Sequence, residues 1–143
     1  MQLYHRQYSD AGPPLVILHG LYGNQGNWAG HARQLADTFS VYALDARNHG
    51  QSAWAGSMSL QEMAEDVVET LGALGLTRVD LLGHSMGGKT AMLLALLHPA
   101  LVRRLVVVDI APVDYHKASD GVLQAMLDMP VADIGSRTEA EQW

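Results

Sequence analysis

Four short runs of apolar residues recur along the chain, and longer stretches with helical periodicity separate them. The runs are Leu15–Leu18, Val41–Leu44, Val79–Leu82 and Leu105–Val108. A strand that is apolar at every position is covered on both faces, as in a parallel sheet between two layers of helices. Alternation of such strands with helices is typical of βαβ units. The sequence therefore predicts an α/β fold with a mostly parallel sheet flanked by helices.

The clearest predicted helix is Ser59–Leu74, between the second and third runs. Its apolar side chains follow one stripe at helical spacing. Ser59 and Glu62 have the three-residue separation of a capping box, and Gly75 marks the C-terminal end. Two further helices are predicted, one from about Trp28 to Asp37 and one after a turn at Gly83, ending at His98.

Charge and composition exclude several classes of function. The 143 residues include 9 Lys and Arg against 15 Asp and Glu, a formal charge of -6 with no basic block, which argues against nucleic acid as a partner. The absence of cysteine excludes disulfides, thiolate metal sites and cysteine nucleophiles. The apolar runs are far shorter than the roughly 20 residues of a membrane span, and the N-terminus is polar. We expect a soluble, cytoplasmic protein.

The segment Gly83–Gly87 reads GHSMG and matches the pattern G-x-S-x-G between a predicted strand and a predicted helix. In that context the pattern predicts a nucleophile elbow, a sharp turn that presents the serine at the top of the sheet. The turn leaves no room two residues before or after the serine, so glycine is required at both ends. Ser85 is therefore the predicted nucleophile, at the positive end of the following helix.

The segment HGLYGN at positions 19–24 follows the first predicted strand and predicts a second part of the same site. Acyl transfer requires two backbone N–H donors directed at the developing oxyanion. We expect one donor from Met86, the residue after the nucleophile, and the other from Leu21. The alternative is an ordinary strand–helix connection in which the glycines serve only the turn.

Two other segments, DARNHGQS at 45–52 and VVDIAPVDY at 107–115, complete a set with HGLYGN and GHSMGGKTAM at 83–92. With these four segments the chain resembles the α/β-hydrolase superfamily, in particular the branch of small bacterial acyl esterases and their mitochondrial abhydrolase relatives. Asn48 is distinctive of that branch, since many relatives carry RGHG in place of RNHG. The resemblance spans about residues 3–116. It implies loop-bracing roles for His19, His49 and His84, and a mechanism without metal or cofactor.

The resemblance implies that Asp109, at the end of the strand after the elbow helix, is the acid of a catalytic triad. Independently, a carboxylate at the C-terminal end of a parallel strand faces the crevice where open α/β sheets bind ligands. The competing interpretation is that Asp109 caps a turn and Asp114 is the acid. A histidine should activate the serine and should follow the acid in sequence. Only His116 follows Asp109, where the family begins its cap.

We therefore predict that the catalytic histidine lies outside this chain, which would then be the N-terminal part of a longer hydrolase. The remaining strands and the histidine would be supplied by a missing segment or a second polypeptide. The predicted organisation is the N-terminal part of the hydrolase core at 1–117 and the start of a helical cap at 118–143. The last predicted strand would lie at an open sheet edge, which invites self-association.

The predicted function is hydrolysis of carboxylic esters, and of acyl thioesters or acyl-CoA as further substrates, through an acyl-serine intermediate. The predicted substrate pocket consists of Leu21, Tyr22, His84 and, from the cap, Met126. One alternative is an inactive hydrolase fragment that serves as an interaction module. A second alternative is a nucleotide-binding P-loop, because GHSMGGKT also fits the pattern G-x-x-x-x-G-K-S/T.

Overall fold

The computed structural model describes residues 1–113, 124–125, 127–130 and 133–142. The chain divides into two compact units, Met1–Pro112 and Val113–Trp143. The predicted boundary between the hydrolase core and the cap, after residue 117, falls outside the described residues and stays a prediction. None of the helices in the described ranges is long and apolar enough to cross a membrane.

A five-stranded, mostly parallel sheet forms the centre of the first unit, as the apolar runs predict. Its strands are β1 (His5–Gln7), β2 (Pro14–Leu18), β3 (Ser40–Leu44), β4 (Val79–His84) and β5 (Val102–Val108). Their order in the sheet is β1-β3-β2-β4-β5, and only β1 runs antiparallel to its neighbour. The fold class predicted from the sequence is therefore confirmed.

Side-chain caps mark the start of the 3-10 turn and of the longest helix in the described part of the chain. The helical elements are the 3-10 turn (Gln25–Trp28), α1 (Ala29–Leu35), α2 (Leu60–Ala73), α3 (Met86–Leu97) and, in the second unit, α4 (Arg137–Gln142). The capping box of α2 is confirmed, because the Glu62 N–H donates to Ser59 Oγ and the Ser59 N–H donates to Glu62 Oε2. The helix predicted from about Trp28 to Asp37 is shorter and is preceded by the 3-10 turn, since Asn24 caps that turn.

Two hydrophobic clusters cover the two faces of the sheet. Alternate residues of β2 point to opposite faces, so Val16 and Leu18 join the cluster under α2 and α3, whereas Leu15 and Ile17 join the cluster under α1. Both β2 and β3 are buried along almost their whole length. The core thus holds the carboxyl ends of the central strands in fixed positions.

The last strand departs from the prediction of full burial. Leu105 is 37% exposed and Val106 is 49% exposed. The reason is position, since β5 is the last strand of the sheet and pairs with β4 alone among the described strands. The prediction of an edge strand here is confirmed, and the prediction that Leu105–Val108 is covered on both faces is wrong.

Candidate active site

A single residue, Ser85, connects β4 to α3. The strand continues to His84, two residues beyond its predicted end, and the helix begins at Met86. Ser85 has φ +50° and ψ −116°, a conformation that residues other than glycine rarely adopt. Such a conformation persists only where the surrounding structure enforces it. Its N–H donates to the carbonyl of Val108 at 3.0 Å, and its carbonyl accepts from the N–H of Lys89 at 3.0 Å.

The elbow glycines are required because backbone atoms occupy the space a side chain would need. A Cβ on Gly83 would overlap the carbonyl of Gly87, four residues on. A Cβ on Gly87 would overlap the carbonyl oxygen of Leu18 at the end of β2. α3 therefore begins in direct contact with the two strands beneath it, and Ser85 is held at the top of the turn.

The register of the sheet brings three loops to the same edge. Leu18 of β2 pairs with Gly83 of β4, and His84 of β4 pairs with Val108 of β5. Asp109 therefore follows β5 beside the position where Ser85 follows β4. The strands are parallel, so the loops after all three strands emerge at one edge of the sheet, where ligands bind in open α/β folds.

The loop after β2 lies directly against the elbow. A Cβ on Gly20 would stand 2.8 Å from His84 Nδ1 and 3.3 Å from the Cβ of Ser85. In the described part of the chain, the backbone N–H groups of Leu21 and Met86 have no hydrogen-bond acceptor. Two unpaired donors thus come directly after the two residues in this contact, one after Gly20 and one after Ser85.

Two buried histidines hold these loops together, and His19 is the deeper one. Its Nδ1 lies 2.7 Å from the carbonyl oxygen of Gly20, and its Nε2 accepts from the N–H of Ala46 at 3.0 Å. Because Nε2 accepts, the proton must reside on Nδ1 and the ring is neutral. Burial lowers the pKa of His19, which favours the neutral form.

His49 also joins the loop after β2 to the loop after β3, through the backbone of Tyr22. Its Nε2 accepts from the N–H of Tyr22 at 3.2 Å, and its Nδ1 lies 2.8 Å from the carbonyl oxygen of Arg47. Tyr22 has φ +62°, so this bond secures a strained backbone position directly after Leu21. The structure therefore gives His19 and His49 the loop-bracing contacts that the family resemblance suggests.

Sequence reasoning missed the groups that secure the loop after β3. Asp45 is buried and accepts from the N–H of Gln25 at 2.6 Å and of Gln51 at 2.8 Å. Arg47 makes a bidentate pair with Asp66 of α2, at 2.6 and 2.9 Å. Gln51 lies in the same loop as Asp45, but Gln25 and Asp66 belong to other segments, so no local pattern could have indicated those two partners.

Asp109 directly follows β5 and is highly exposed. It has φ +53°, its side chain is 87% exposed, and its Oδ2 lies 3.8 Å from Nε2 of His84. No hydrogen bond links His84 to Ser85 in the described part of the chain. Three residues considered as acid, base or pocket residue lie outside the described residues: Asp114, His116 and Met126.

An open cleft of about 290 Å³ lies beside the elbow, and the predicted pocket residues Leu21, Tyr22 and His84 line it. Trp28 and Asn27 also line this cleft, and sequence reasoning missed both. The indole of Trp28 meets the His84 ring edge to face, with 6.2 Å between the ring centroids. The only sequence signal for this wall is an aromatic residue shortly after the glycine-rich loop.

The comparisons with known proteins agree with this geometry. A family model described as the alpha/beta hydrolase fold matches residues 13–135, and the chain belongs to that family. It is 38% identical to Esterase YbfF of Escherichia coli over 128 residues, which cover 89% of this chain and 50% of that protein. It is 52% identical to the sn-1-specific diacylglycerol lipase ABHD11 of Xenopus laevis over 103 residues, which cover 71% of this chain and 33% of that protein.

A solved structure described as a marine microorganism esterase superposes with a TM-score of 0.91 at 41% identity. The match covers 99% of this chain and 56% of that one. The chain spans about half the length of the Escherichia coli esterase and about a third of the length of the Xenopus laevis lipase.

Proposed function

We propose that the chain carries the nucleophile, the oxyanion hole and the acid of a serine hydrolase that cleaves carboxylic esters. The observation that carries this proposal is Ser85 alone at the strand-to-helix turn, in a strained conformation at a turn so tight that Gly83 and Gly87 leave no room for a side chain. Strain of this kind is concentrated at functional sites, where the surrounding structure maintains it. Relatives named as an esterase and a lipase support the same reaction class.

In the proposed reaction, the Ser85 hydroxyl gives its proton to a histidine base and its oxygen attacks the ester carbonyl. The carbonyl oxygen becomes an oxyanion, which accepts hydrogen bonds from the N–H groups of Leu21 and Met86. The C–O bond to the alcohol then breaks, the alcohol leaves with the proton, and water later hydrolyses the acyl-Ser85 ester by the same route. Acyl thioesters, including acyl-CoA, would react by the same steps.

Asp109 is the proposed acid that orients the base. The base itself is proposed to be a histidine beyond these 143 residues, supplied by a further segment or a second polypeptide. His84 is a poor candidate because it precedes the nucleophile and does not hydrogen-bond Ser85. The greater length of the relatives is consistent with a base from elsewhere.

A P-loop does not fit this site. A phosphate-binding P-loop needs several consecutive backbone N–H groups wrapped around the anion between strand and helix. Here one residue separates β4 from α3. The match of GHSMGGKT to the P-loop pattern is therefore a coincidence of letters.

Chemical rescue tests the proposal, because free imidazole can replace an absent histidine base. The protein is incubated with p-nitrophenyl acetate, with and without imidazole, and the acetylated peptide is identified by mass spectrometry. We expect acetyl on the peptide that contains Ser85, at a rate that rises with imidazole concentration, and none at that peptide in Ser85→Ala. Imidazole-dependent acetylation equal in both proteins would contradict the proposal.

A second candidate is a non-catalytic interaction module. The observation that favours it is the exposed edge strand β5, one side of which has unpaired backbone groups in the described part of the chain. Such an edge can accept a strand from a second polypeptide or from another copy of the chain. The two candidates differ in one result, since only the hydrolase acylates Ser85.

A further inference from the structure

We propose that Trp54 and Met58 form a binding surface for an alkyl chain of the ester substrate, a specificity site that rests on the proposed ester hydrolysis. They line a second open cleft of about 480 Å³, which shares Leu21, Tyr22 and Gly23 with the cleft beside the elbow. Its volume is within the roughly 300–1,000 Å³ of ordinary ligand sites. A substrate held at Ser85 would therefore have two directions available, one toward Trp28 and one toward Trp54.

Trp54 is 81% exposed, yet the backbone on both sides of it is fixed. The N–H of Asn48 donates to the carbonyl of Ala53 at 3.3 Å, and Asn48 Oδ1 accepts from the N–H of Ala55 at 2.6 Å. One asparagine thus clamps the residues before and after the indole. An exposed indole held in this way is preorganised and gains from burial against an apolar ligand.

The clamp adjoins the residue that holds the loop after β2, which contains Leu21. Asn48 holds the Trp54 turn, and the next residue, His49, holds the N–H of Tyr22 beside Leu21. Asn48 has φ +62°, a conformation that glycine also adopts, so the backbone alone does not require asparagine here. The amide side chain is needed for the bond to the Ala55 N–H, which gives RNHG a function that RGHG lacks.

The chemistry of the cleft selects an uncharged chain. Among the described residues that line it there is no Asp, Glu, Lys or Arg. Its polar side chains are uncharged groups of Tyr22, Asn24, Asn48, His49 and Trp54, and those of Asn48 and His49 are engaged in the contacts described above. The surface therefore favours methylene groups over a phosphate or carboxylate, which would lose hydration without gaining a cation.

Binding to the Ser85→Ala protein tests this inference, because esters persist without the proposed nucleophile. Dissociation constants are measured by calorimetry for methyl butanoate against methyl octanoate, and for butyl acetate against octyl acetate. The first pair extends the acyl side and the second extends the alcohol side. A fully buried methylene strengthens binding about fourfold, and an open groove covers about half of it, so four methylenes should give about 15-fold in one of the pairs.

In this background, Trp54→Ala should reduce that ratio to about threefold or less, since the main apolar wall is lost. Asn48→Gly should also reduce it, because the glycine keeps the backbone conformation and the bond to Ala53 and removes only the side-chain bond to Ala55. Leu96→Ala, which truncates a side chain that is 79% exposed on α3 outside both clefts, is the matched control and should leave the ratio unchanged. Far-ultraviolet circular dichroism verifies that each variant is folded.

Two results would overturn the inference: a ratio near one in both pairs, or a ratio that Trp54→Ala leaves intact. The pair that shows the dependence identifies whether the acyl or the alcohol chain occupies the cleft. Failure of the proposed function is distinguishable, because it would abolish acetylation of Ser85 without changing these binding ratios.

Discussion

Replacing Gly87 by alanine should destabilise the fold through a purely steric contact at the elbow. A Cβ at this position would overlap the backbone carbonyl of Leu18, and a backbone atom cannot move aside as a flexible side chain can. Overpacking of this kind typically costs about 1–3 kcal/mol. We expect Gly87→Ala at the upper end of that range, because the atom displaced belongs to the central strand of the sheet.

Gly72→Ala is a matched control within the same unit. Gly72 lies inside α2, and a Cβ there would meet nothing within 4 Å. Alanine should stabilise the helix by about 0.5–1 kcal/mol, since it has the higher helix propensity and reduces the entropy of the unfolded chain. The same substitution at two helical glycines should therefore change stability in opposite directions, with a difference of about 3.5–4 kcal/mol.

Urea unfolding followed by circular dichroism measures both free energies. The expected order of midpoints is Gly72→Ala, wild type, then Gly87→Ala, with similar slopes because the same surface is exposed on unfolding. If Gly87→Ala unfolds at the wild-type midpoint, α3 does not begin against β2 as described. The strained position of Ser85 would then lack its physical cause.

Two further outcomes follow from loop bracing and capping. His49→Leu removes the acceptor of the Tyr22 N–H and should slow imidazole-dependent acetylation of Ser85 by about tenfold or more. His49→Gln keeps an acceptor and should recover part of the rate. Equal acetylation rates in the wild type and His49→Leu would contradict the bracing role. Hydrogen bonds from Ser57 and then Ser59 lower the pKa of Glu62 to about 2. A carboxylate with a lowered folded pKa stabilises the fold above its unfolded pKa and loses that contribution as the pH falls toward the folded value. The stability difference between wild type and Glu62→Gln should therefore shrink below about pH 4.5 in unfolding titrations, and a constant difference would contradict this origin.

The parts of the site that depend on local chain geometry were predictable from the sequence. The elbow follows from the spacing of Gly83, Ser85 and Gly87 between a strand and a helix. The capping box follows from Ser59 and Glu62. The contact between Gly83 and Gly87 and the bonds between Ser59 and Glu62 join residues within four positions of one another, so spacing alone carries this information.

The parts that depend on contacts between distant loops were not predictable. The bond from Tyr22 to His49 and the contact of Gly20 with His84 join separate segments, and no periodicity records them. The predicted burial of the last apolar run failed for a related reason. Apolar composition indicates a sheet strand, but its position at the centre or the edge is decided by topology.

Active-site labelling tests the central claim most directly. A fluorophosphonate probe, in the presence of imidazole, should attach to one residue of the wild-type protein, and peptide mapping by mass spectrometry should locate it at Ser85. Ser85→Ala, with the hydroxyl removed and the elbow glycines intact, should remain unlabelled. Attachment at another residue, or equal labelling of Ser85→Ala, would show that the strained serine is not the nucleophile.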